Sequence, residues 1–112
     1  MGAGAQLSVT DLRRATRHPA EYPVIGEHRQ RGDMHIKIVN ISAHGFMADG
    51  GLELGRGERV IIRLPVIGRI EAHVIWVTED RCGFQFERIL RFEDFIKLID
   101  AIQPNPRLRK DR

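Results

Sequence analysis

Six residues carry the chemistry this chain can be expected to perform. Arg13, Arg14 and Arg17 stand just ahead of Pro19, and Asn40-Ile41-Ser42-Ala43-His44-Gly45 follows further along. A guanidinium is a planar fork of N–H donors. It grips phosphate oxygens, reads the O6 and N7 edge of a guanine, or stacks on a base. Asn40 offers both an acceptor and a donor to a base edge, and the Ser42 hydroxyl serves a phosphate or fixes its own turn. Gly45 permits either a positive φ or the close approach of another backbone. Alone, Asn-x-Ser-x-x-Gly reads as a strand end with turn chemistry; with arginines upstream it reads as a binding site.

Other candidate chemistry is weaker. Arg59 and Arg63 repeat the arginine spacing, but they fall on the polar face of a strand, where a solvated structural role suffices. The five histidines, His18, His28, His35, His44 and His73, show no metal-ligand spacing with cysteine or carboxylates. No nucleophile sits at a glycine elbow, and Asp49-Gly50-Gly51 is a turn with no helix-opening phosphate loop behind it. An enzyme is therefore not expected, nor a metal. Cys82 is the only cysteine and lies in a strand pattern, so it reads as a small buried hydrophobe.

At 112 residues the chain has the length of one domain. Its 42% hydrophobic and 29% charged residues are ordinary for a folded protein and argue against wholesale disorder. Eighteen Lys and Arg against fifteen Asp and Glu leave a net charge of +3, which permits an anionic partner without demanding one. No apolar run reaches the ~20 residues of a membrane helix and no signal peptide is visible, so a cytoplasmic location with no membrane span is expected.

The elements that must position the six residues follow from periodicity. Residues 1–10 have none and are expected to form a disordered leader; 11–102 form the domain; 103–112 form a basic, flexible tail. A strand is expected over 21–29. Over 33–42, Met34, Ile36 and Ile38 alternate with polar residues and then shift phase to Val39 and Ile41, which predicts a β-bulge near Ile38 and Val39. That bulge places Asn40 and Ser42 on the polar face, open to a ligand. A short strand over 46–48 ends at the Asp49-Gly50-Gly51 turn, and Val60, Ile62 and Leu64 alternate inward before a hairpin marked by Pro65 and Gly68. Ile70, Ala72, Val74 and Trp76 share the next inward face, and Phe84 and Phe86 the last. Phe92, Phe95, Ile96, Ile99 and Ile102 then recur at helical spacing, with Glu93 and Asp94 in the first turn and Pro104 and Pro106 ending the helix. Short alternating strands with one closing helix predict an all-β fold, a small antiparallel β-barrel with a C-terminal α-helix.

In this order, Arg13-Arg14-Ala15-Thr16-Arg17, the Asn40 to Gly45 motif and a Gly-Phe-Gln-Phe strand near the end resemble the PilZ-domain family, whose signature is Arg-x-x-x-Arg followed by Asp/Asn-x-Ser-x-x-Gly. The resemblance implies six strands in the barrel. It implies cyclic di-GMP, the bacterial second messenger, as the ligand, held by Arg13, Arg14, Arg17, Asn40, Ser42 and Gly45 beneath the N-terminal arginine segment. It also implies no cofactor, no catalysis, and a downstream protein partner to which occupancy is signalled.

Two alternatives come from other classes. One is a PilZ-like interaction module that docks a protein without nucleotide. The other is a small nucleic-acid-binding barrel; it is disfavoured because Trp76, Phe84, Phe86, Phe92 and Phe95 all fall on expected apolar faces, whereas single-strand binders present aromatic rings outward.

Overall fold

The computed structural model describes residues 16–103. The expected leader over 1–10 and the tail from 104 lie outside the described residues, as do Arg13, Arg14, Pro104 and Pro106. Six strands and a helix follow in order: β1 (His18–His28), β2 (Gly32–Ile41), β3 (Gly45–Asp49), β4 (Arg59–Leu64), β5 (Gly68–Val77), β6 (Arg81–Phe86) and α1 (Phe92–Ala101). The strands close into a barrel in the order β1-β2-β3-β6-β5-β4, each neighbouring pair antiparallel. This is the six-stranded barrel with a C-terminal helix that the sequence predicts.

Alternation builds the interior. Val60, Ile62 and Leu64 on β4, Ile70, Ala72 and Val74 on β5, and Phe84 and Phe86 on β6 are all buried, as their spacing predicts. Phe46 from β3 stacks on Phe84 with ring centroids 4.6 Å apart and leans on Phe86 at 5.7 Å. Cys82 is buried among these side chains, and burial pushes its thiol pKa up.

The helix closes one end of the barrel. The Leu90 N–H donates to the Ala43 carbonyl and the Phe86 N–H to the His44 carbonyl, which fixes the approach to α1 beside the end of β2. Phe95 and Leu98 are its buried residues, and Ile102 at the C-terminal cap is buried with them, a stripe spaced i, i+3, i+7. Ile96, expected on that stripe, points away and is 40% exposed.

Two strand expectations need correction. β1 starts at His18, three residues earlier than expected, because His18 and Pro19 pair with Ile41 and Asn40 before a bulge interrupts the register between Pro19 and Tyr22. Trp76 is not in the core. Val74 pairs with Phe84 but Trp76 pairs with Gly83, so one residue bulges between them and turns Trp76 onto the outer face. The same device operates in β2, where the expected bulge lies between Ile38 and Asn40.

At the opposite end, His28 ties two loops together. Its Nδ1 accepts the Gln30 and Arg31 N–H groups, each at 3.1 Å, which assigns the ring hydrogen to Nε2, 2.7 Å from the Glu58 carboxylate. Glu58 also accepts the Gly55 N–H at 2.7 Å. That backbone bond first, and the His28 bond second, hold the Glu58 carboxyl below its ordinary pKa.

Candidate functional site

Register places a row of residues side by side on the outer surface. Pro19 of β1 faces Asn40 of β2, Asn40 faces Met47 of β3, Met47 faces Gly83 of β6, and Gly83 faces Trp76 of β5. The neighbours of Met47, which are Phe46 and Ala48, and those of Gly83, which are Cys82 and Phe84, are buried inward, so the row itself faces out. The Trp76 indole lies across Gly83 and occupies the space where a Cβ would stand. Gly83 thus lets an aromatic side chain lie down on the sheet.

Arg17 reaches this row from the start of β1. Its Nη1 donates to Asn40 Oδ1 at 3.0 Å, and the Asn40 amide nitrogen points to Met47 Sδ at 3.9 Å. Arg17 is exposed and Asn40 half-buried. The bond joins the end of the arginine motif to the strand-end motif on the surface of the sheet. Its exposed guanidinium retains donors for an anion.

Ser42 and Gly45 have structural duties. Ser42 is buried, against the expectation of an open polar position, because the strand ends there in a tight turn. Its N–H donates to the Gly45 carbonyl at 2.8 Å, and its Oγ accepts the His44 N–H at 3.2 Å. Of the two roles open to Ser42 in the sequence, the structure displays turn fixation. Gly45 has no positive φ; its need for glycine is the close approach of β6, since a Cβ there would collide with the Phe84 carbonyl oxygen and come 2.9 Å from Gln85 Cα.

Trp76 and Met47 are the residues sequence reasoning did not place at the site. A signal existed: Ile75-Trp76-Val77 breaks a strict alternation with three apolar residues, as Ile38-Val39 does in β2, and Gly83 inside a strand marks a close approach. Among the described residues no group of His, Cys, Asp and Glu is arranged to hold a metal, and no helix is long and apolar enough to cross a membrane.

Comparison with known proteins agrees with this geometry. No curated protein matches the chain. The model of the PilZ domain matches residues 11–102, a span that contains Arg13, Arg17, the Asn40 to Gly45 turn, the barrel and the helix, and the chain belongs to the PilZ domain family.

Proposed function

We propose that this protein is a non-catalytic receptor for cyclic di-GMP that passes the occupied state on to a protein partner. The PilZ domain is a cyclic di-GMP receptor family, and the observation that carries the reading to this chain is the Arg17 to Asn40 hydrogen bond, which assembles the two family motifs on one surface. Around that bond lie the types of group the ligand needs. Arg17 supplies guanidinium donors for phosphate and guanine O6 and N7, and the family motif adds Arg13 and Arg14, which precede it in the sequence. Asn40 offers its amide to a second guanine edge. Ser42 and Gly45 act by holding the turn that fixes Asn40, and Trp76 supplies a flat aromatic surface in the same row for a base to stack on.

Calorimetric titration with cyclic di-GMP tests the proposal, with GMP as the control. Saturable binding of cyclic di-GMP, much weaker binding of GMP, and loss of heat in an Arg13→Ala/Arg17→Ala variant that stays folded are the expected results. No heat with either nucleotide would leave the protein-docking reading in its place.

A further inference from the structure

A second surface lies where the barrel is least completely closed. β1 and β4 share a single registered pair, Glu27 with Ile61. Beyond it, residues 62–64 of β4 have no registered partner on the β1 side, and Pro23 on β1 has no N–H to offer. A groove of about 510 Å3 lies there, lined by Tyr22, Arg63, Leu64, Pro65, Val66 and Gly68.

Two features of this groove are unfavourable for the isolated chain. Val66 sits at φ +71°, with the Ile67 N–H bonded to the Pro65 carbonyl at 2.7 Å, a three-residue turn that strains a β-branched side chain. The residue is 52% exposed, so little burial offsets the strain. Arg63 stands directly opposite Arg69 in the β4–β5 register. Glu27 pairs with Arg69 at 2.9 Å and Glu71 with Arg59 at 3.0 Å, while among the described residues no carboxylate pairs with Arg63. Like charges in register repel.

We propose that this groove docks an extended acidic segment of a partner protein, which lies along the open edge of β4, sets a carboxylate on Arg63 and rests an apolar side chain against Val66. A strand edge recognises extended chain through backbone bonds, and the neighbouring side chains set its specificity. Charge complementarity selects the occupant. A second copy of this chain meeting the same face would bring Arg63 and Arg69 against themselves, whereas an acidic segment neutralises Arg63, which among the described residues has no carboxylate partner although Arg59, Arg69 and Arg81 each have one. The proposal is independent of nucleotide binding, since neither Arg63 nor Val66 belongs to the row around Asn40.

Selection of random phage-displayed peptides on the full chain, followed by titration of one synthesised winner into 15N-labelled protein, tests it. Enriched peptides should combine acidic with apolar residues and shift the amide signals of Tyr22, Arg63 and Val66. Arg63→Glu should weaken the peptide about tenfold, the scale of one charge-assisted contact. Val66→Gly should weaken it about fivefold, the scale of one half-covered side chain, while raising the melting temperature because glycine accepts the positive φ. Both variants should bind cyclic di-GMP as the parent protein does. Peptides without acidic bias, shifts centred on another face, or equal affinity for parent and Arg63→Glu would overturn the proposal. So would a concentration-dependent dimer abolished by Arg63→Glu, which would assign the groove to self-association.

Discussion

The imidazole of His18 meets the ring of Phe95 edge-on, with centroids 5.6 Å apart and planes inclined at 66°. His18 directly follows Arg17 and opens β1, while Phe95 is fully buried in α1. The ring contact is a short physical route from the residue beside Arg17 to the helix.

His18→Ala should lose the ring contact, about 0.5 to 1.5 kcal/mol, and speed amide exchange in α1 more than in β4. Phe95→Ala should cost about 3 to 5 kcal/mol because it leaves a cavity. Urea denaturation and hydrogen exchange measure the two effects; unchanged exchange in α1 after His18→Ala would show that the contact transmits nothing.

Arg17→Ala and Asn40→Ala should each weaken cyclic di-GMP by about 1.5 to 3 kcal/mol, the range of charge-assisted hydrogen bonds. Their sum should exceed the loss in the double variant, because the two side chains share a bond. The melting temperature of Arg17→Ala should hardly move, since Arg17 is exposed. Calorimetry on the four proteins gives the coupling energy, and strict additivity would mean that the bond is irrelevant to the ligand.

Gly45→Ala and Gly51→Ala separate two reasons for glycine. At Gly45 the new methyl meets backbone of β6, so about 1 to 3 kcal/mol or more should be lost by overpacking, and the Asn40 turn should shift with it. Gly51 has φ +81° with open space around its Cβ position, so only the conformational cost of about 1 to 2 kcal/mol applies and nucleotide affinity should be kept. Equal effects on affinity would contradict this division.

The pH dependence of stability should carry a mark of Glu58. Its folded pKa lies below the ordinary 4.5, so its contribution is complete above 4.5 and disappears as pH falls through the folded value. Between those values the native state binds fewer protons than the unfolded chain, and stability rises with pH. Glu58→Gln should flatten that part of a melting-temperature profile and leave the shape near pH 7 unchanged.

Phe86→Ala should cost about 3 to 5 kcal/mol through cavity formation. Trp76→Ala should cost less, about 1 to 2 kcal/mol for one half-covered ring at ~25 cal/mol per Å2. It should instead remove base stacking, about 1 to 3 kcal/mol of nucleotide affinity. A Trp76→Ala variant as unstable as Phe86→Ala would return the ring to the core.

Strict alternation made the barrel legible, because a buried face must repeat every second residue; Val60 to Leu64 and Ile70 to Val74 admit no other register. Legibility failed where the period slipped. Ile38-Val39 announces its bulge with a phase change between polar Lys37 and Asn40, whereas Ile75-Trp76-Val77 is apolar throughout and hides which residue turns out. The start of β1 was hidden for a different reason. His18 and Pro19 carry no strand propensity of their own and are held by pairing with Ile41 and Asn40, a long-range cause. Around Asn40 the residue types were readable, but the close approach that demands glycine at 45 comes from β6, which local sequence does not contain.

Because Trp76 is the chain's single tryptophan, its placement over Gly83 makes intrinsic emission a reporter of one surface. The rings buried in the barrel and under the helix, Phe46, Phe84, Phe86 and Phe95, are nearly silent at the wavelengths that excite indole. An emission change in the folded protein therefore speaks for the face that carries Asn40 and Met47.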